Sequence, residues 1–102
     1  MDDEQAFVVF RVTGDHYDEF IGLAADLPAA QRLCLDDQKK KLEGWQQMAQ
    51  WRAHNTRRHD LTPVIDLAFV EDSDGDFRTT ESSTFVHSYD RGYLIVPSKV
   101  RK

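Results

Sequence analysis

Residues 28 to 55 repeat apolar side chains at helical spacing over a length that a chain of 102 residues has trouble burying in one straight piece. At 100° per residue, Ala30, Leu33, Cys34, Leu35, Leu42, Trp45, Met48, Ala49, Trp51 and Ala53 fall within an arc of about 200°. Arg32, Asp36, Lys39, Lys40, Glu43, Gln46, Gln47 and Gln50 occupy the opposite arc. The spacing predicts a helix opening at Pro28 and closing near Asn55. It would be roughly 42 Å long, against about 30 Å for the width of a domain of this size. Gly44 is one place where it could break, and Asp37, Gln38 and Lys41 interrupt the apolar arc. The expectation is a kink or two packed segments; the alternative is that the C-terminal turns project beyond the core and meet a partner.

On the N-terminal side, residues 5–13 are β-branched and aromatic on both faces, which predicts a central strand. Thr13-Gly14-Asp15 offers a turn and a cap, and Asp18 and Glu19 suit a first helical turn. A short helix from His16 to Asp26 is therefore expected, burying Tyr17, Phe20, Ile21 and Leu23. After Pro63, alternation over 64–70 predicts a strand, 71–76 a turn, and 77–89 a returning strand with a bulge in 79–83. Asp90-Arg91-Gly92 reads as another turn and Tyr93 to Val96 as a last strand, stopped or placed at an edge by Pro97. The resulting expectation is one α+β domain over 1–102 in the order β-α-α-β-β-β, a helical hairpin on a largely antiparallel four-stranded sheet. That order is similar to the small ribonuclease toxins of the RelE type, in which a helical hairpin precedes a three-stranded meander.

Charge restricts the partners. The net charge is −5, but residues 1–30 carry −6, residues 31–59 carry +4 and residues 60–102 carry −3. The acidic outer thirds would repel phosphate over a Debye length, which disfavours nucleic acid and anionic membrane as partners. No stretch has the run of about 18 apolar residues that a membrane span needs, and the first residues are acidic where a signal peptide would be basic. The lone Cys34 sits between Leu33 and Leu35 and reads as a small buried hydrophobe in a reducing, cytoplasmic setting.

Four groupings could carry chemistry. Asp72, Asp74, Gly75, Asp76 and Glu81 look calcium-like, but Val70 stands at the first ligand position and no helix is expected beside the loop, so the reading is a solvated turn and no metal. His87, Tyr89, Arg91 and Tyr93 could together polarise a phosphodiester, the one catalytic grouping in sight. Arg52, His54, Arg57, Arg58 and His59 are the densest cations, explicable by the helix C-terminus or by an acidic partner. Trp45 points to the centre of the apolar arc and Trp51 to its margin, where a tryptophan can serve an interface. The expectation is a non-enzymatic, cofactor-free protein-binding module, of the inhibitor, immunity or phage-type regulatory kind, docking through Met48, Trp51, Arg52, Arg57 and Arg58. A RelE-like ribonuclease and a homo-oligomeric assembly protein joined through the long helix, such as a homodimer, are the alternatives.

Overall fold

The computed structural model describes residues 4–14, 18–56, 63–87 and 90–100, and for residues 4, 49–56, 99 and 100 the backbone alone. One helix lies on a five-stranded antiparallel sheet, an α+β arrangement with the element order β1 (Glu4–Thr13), β2 (Asp18–Ala24), α1 (Leu27–Thr56), β3 (Phe69–Glu71), β4 (Phe77–Thr79) and β5 (Asp90–Val100). The sheet order is β2-β1-β5-β4-β3. β1 has a neighbour on each side, as its two apolar faces require.

Several expectations are corrected. Within the expected helix over His16–Asp26, Asp18–Ala24 is instead the strand β2, so the sheet has five strands where four were expected, there is no helical hairpin among the described residues, and the likeness in element order to RelE-type toxins falls with it. The reason lies in a bulge. Phe10 pairs with Phe20 but Val9 pairs with Gly22, so Ile21 is an extra residue that breaks the alternation by which a strand is recognised. The expected strand over 64–70 is shortened to Phe69–Glu71, and the one over 77–89 stops at Thr79. Between them, Ser83 N donates to Thr80 O in a turn, and Asp66 and Thr84 form an isolated bridge.

β5 also departs from expectation. Asp90-Arg91-Gly92 lies inside the strand: Val12 pairs with Gly92 and Thr13 with Asp90, leaving Arg91 as a bulge residue. Pro97 does not end the strand either, which runs on to Val100 opposite β1. β4 pairs with β5 only at Arg78–Leu94 and Phe77–Ile95, so at Pro97 the missing N–H removes no bond to β4.

α1 is unbroken over 30 residues. Asp26 caps it, its Oδ1 accepting from Ala29 N at 2.8 Å, while Pro28 occupies the first turn, where its missing N–H leaves no partner stranded. Gly44 does not break it. A Cβ there would meet nothing within 4 Å, and a solvent-facing glycine costs a helix only about 1 kcal/mol. The core forms where the first half of α1 crosses β1 and β5: Ala30 and Cys34 close onto Phe7, Val9, Tyr93 and Ile95. Ile21, Ala24, Leu27, Leu33, Leu67, Phe69, Phe77 and Phe85 pack around this centre. No described helix is long and apolar enough to cross a membrane.

Candidate functional site

The residues that interrupt the apolar arc of α1 form its most specific contacts. Cys34, Gln38 and Lys41 follow one another at helical spacing on the side facing the sheet, with Asp37 beside them. Gln38 is fully buried, and each of its groups is matched. Its Nε2 donates to Tyr93 Oη at 2.6 Å and Asp90 Oδ2 at 3.1 Å, and its Oε1 accepts from Val86 N at 2.9 Å. Lys41 Nζ donates to the same Asp90 oxygen at 2.6 Å. Tyr93 Oη donates to Asp37 Oδ2 at 2.5 Å. Asp37 also accepts two bonds from Arg11 Nη1, each 2.9 Å long, and Arg11 Nη2 reaches Glu19.

This seam binds α1 to β1, β2 and β5 at one place. Burial opposes charge on Arg11, but hydrogen bonds and attraction from Asp37 and then Glu19 outweigh it and raise its pKa. Burial, reinforced by the bond to Asp37, pushes the Tyr93 phenol up far enough to stay protonated and remain a donor. Arg11 Nε and Asp90 Oδ1 are the buried side-chain atoms without a partner among the described residues.

The chemistry available to the seam is structural. Its carboxylates are held by cations or by Tyr93, and the phenol expected to help polarise a phosphodiester lies in the core with Asp37 and Gln38 as partners. Of the other members of that grouping, His87 is half-buried in a bend, Arg91 is exposed on β5 and Tyr89 lies outside the described residues. A groove of about 580 Å³ runs between β2 and α1, with Arg11, Glu19, Ile21, Leu33, Lys39 and Lys40 on its walls. It is open and of mixed charge, and Arg11 at its wall is already matched by Asp37 and Glu19.

Cys34 is equally closed to chemistry. Burial first, and then the neighbouring Asp37 carboxylate, push its thiol pKa up to about 12. The folded state therefore holds this proton after the unfolded chain has lost it, so stability falls as pH rises from about 8.5, the free thiol value, towards the folded value. Two results are expected. Ellman's reagent at pH 8 should label native protein about a hundredfold more slowly than urea-unfolded protein. A Cys34→Ala variant should lose less stability than the parent between pH 8.5 and 10.5. Fast labelling of the native chain would place the thiol elsewhere.

The acidic hairpin loop is organised by its own backbone. Asp72 Oδ1 accepts from Asp74 N at 2.9 Å and Asp76 N at 3.0 Å, while Oδ2 accepts from Arg78 Nε at 2.8 Å. The Arg78 bond, followed by the two backbone donors, holds the Asp72 carboxyl below its usual pKa. Gly75 supplies the left-handed conformation at the tip, φ 83°. Among the described residues, no cluster of His, Cys, Asp and Glu could hold a metal ion.

Beyond Lys41 the situation changes. Lys41 is the last described helix residue bonded to the sheet, and α1 continues from Leu42 to Thr56, about 22 Å further. Trp45 and Met48 continue the seam of Cys34, Gln38 and Lys41 at helical spacing, yet Trp45 is only half-buried and Met48 is 52% exposed. Of the residues expected to dock a partner, Met48 is thus at the surface, and Trp51 and Arg52 lie on the helical overhang with side chains outside the described residues. Arg57 and Arg58 lie outside the described residues altogether. Sequence reasoning misses Asp37, Gln38, Lys41 and Asp90 as a unit, although three polar residues on an otherwise apolar helix face are the visible signal. No family model, curated protein or solved structure matches the chain.

Proposed function

We propose that this chain is a non-enzymatic protein-binding module that docks another protein through the overhang of α1. The observation that carries the reading is a helix running about 22 Å past its last bond to the sheet, with Met48 exposed on the side that upstream faces the core. A helix of that length keeps its shape in isolation only marginally, and packing of an apolar face is what ordinarily stabilises it. A partner laid against the overhang would supply that packing. The sequence of this half is cationic at Arg52, Arg57 and Arg58, which suits an acidic surface and disfavours a basic one. Trp51 is the proposed aromatic anchor alongside Met48. Such a module acts by occupying a surface, as an inhibitor, an immunity factor or a phage-type regulator does.

The test compares capture by the wild-type chain with capture by Met48→Glu and by the pair Trp51→Ala and Arg57→Glu. A protein retained by the wild type should be lost by at least tenfold from both variants, while their circular dichroism and melting stay unchanged. Retention by both variants rejects this surface.

A further inference from the structure

The sheet has two faces, and the described residues cover only one. Antiparallel partners share a face, so Phe7, Val9, Gly22, Arg11, Tyr93, Ile95, Phe77 and Phe69 all lie under α1. The opposite face is built from Val8, Phe10 and Val12 on β1, Leu94 and Val96 on β5, Phe20 and Leu23 on β2, and Val70 on β3. The rings of Phe10 and Phe20 meet edge to face there, their centroids 6.2 Å apart. Phe20, Leu23 and Val70 are all more than half exposed, and none of the eight belongs to the core cluster or packs against it.

Parts of the described connecting segments run on the helix side. Residues 65–69 face Pro28, Gln31, Arg32 and Leu35 across a groove, and Val86 bonds Gln38. Contiguous apolar faces of this extent on soluble proteins ordinarily mark contact sites.

We propose that this face is a homodimer interface, in which two copies pack sheet against sheet. The placement of charge favours a second copy as the occupant. Asp18 pairs with Val12 at the β2 side of the face, and Arg78 pairs with Leu94 at the β4 side, with the apolar strands between them. A two-fold axis along the strands, between β1 and β5, lays β2 of each copy over β4 of the other. Each acid then comes to the side of the partner's base, twice over, two residues apart along the strand and within an arginine's reach. Arg78 is held at Nε alone by Asp72, so its terminal nitrogens can serve this contact.

The size is sufficient. The face spans about 20 Å along the strands and about 19 Å across them, so two copies would bury on the order of 1,000 Å², about the least that a biological interface needs. Aligned sheet packing at about 10 Å separation is a standard way for such faces to be satisfied. This contact is separate from the helical overhang, and leaves it free for a different protein.

The experiment is light scattering and sedimentation velocity on the full chain at tens of micromolar. The wild type is expected at twice the chain mass. Phe10→Glu should give the monomer mass, and Phe20→Glu, on the edge strand where a charge is readily solvated, provides the same reading should Phe10→Glu not fold. Asp18→Arg should weaken the dimer at least tenfold by setting like charges opposite Arg78. A monomeric wild type overturns the proposal, as does a dimer that survives Phe20→Glu or one that dissociates with Met48→Glu instead.

Discussion

Asp37→Ala is expected to lower the free energy of unfolding by about 3 kcal/mol, the lower end of the cost of removing one partner from a buried ion pair. The carboxylate has two tasks. It accepts both bonds from Arg11 Nη1 and the bond from Tyr93 Oη, so it joins β1, β5 and α1 through one group. Without it, Arg11 keeps only Glu19, which is largely solvated, and Arg11 itself is only 15% exposed. An uncompensated charge then lies against the core, and the Tyr93 hydroxyl loses its acceptor. For a chain of this length, the loss should lower the melting temperature by roughly 10–20 °C.

Two companion variants identify the cause. Asp37→Asn keeps an acceptor for Tyr93 and should cost less than the alanine variant. Arg11→Met combined with Asp37→Leu replaces the pair by apolar groups of similar size and should recover most of the loss, because what hurts is the orphaned charge. Urea unfolding monitored by far-ultraviolet dichroism measures all three. An alanine variant within about 0.5 kcal/mol of the parent, the usual range for a surface change, would mean that the seam does not hold the helix to the sheet.

That seam also shows why the sequence reveals some of this molecule and conceals the rest. α1 and β1 are legible because their apolar periods persist over many residues and depend on nothing remote. Asp37, Gln38 and Lys41 read locally as defects in the helix, since their partners Arg11, Asp90 and Tyr93 stand 26, 49, 52, 55 and 56 residues away along the chain. β2 is hidden by one extra residue: with Ile21 bulged, Phe20, Ile21 and Leu23 suit a helical face as well as a strand. Asp18 and Glu19, which read as a helix's first acidic turn, instead stand on opposite faces of β2, Glu19 against Arg11. Pro97 looks like a terminator because sequence does not say which side of a strand is vacant. The candidate surface is half legible. Met48 on the apolar arc of a long helix, and Trp51 at its margin, can be read from spacing, whereas the open sheet face needs the strand order.

Gly92→Ala should be about as damaging as the loss of Asp37, for a reason of geometry alone. Gly92 lies at the β5 bulge with φ 153°, a backbone conformation that L side chains rarely adopt. A Cβ built there would stand 2.4 Å from Thr79 Oγ1 and 3.8 Å from Thr79 Cβ. Thr79 has little freedom to withdraw, because its short side chain accepts the Tyr93 N–H at 3.0 Å. Relieving the overlap means either giving up that bond or shifting β4 away from β5 where their pairing is already short. Strain of this kind costs on the order of 1–3 kcal/mol, and loss of the hydrogen bond adds about 1 kcal/mol. Gly44→Ala is the matched control: nothing lies within 4 Å of its Cβ position and the backbone is helical, so it should stabilise by up to about 1 kcal/mol. Because Tyr93 is also the donor to Asp37, displacing its backbone at Gly92 should loosen the polar seam as well. Gly92→Ala and Asp37→Ala combined should then cost less than the sum of the two alone, a non-additivity that a double-mutant cycle measures directly. Strict additivity would show that bulge and seam are held independently.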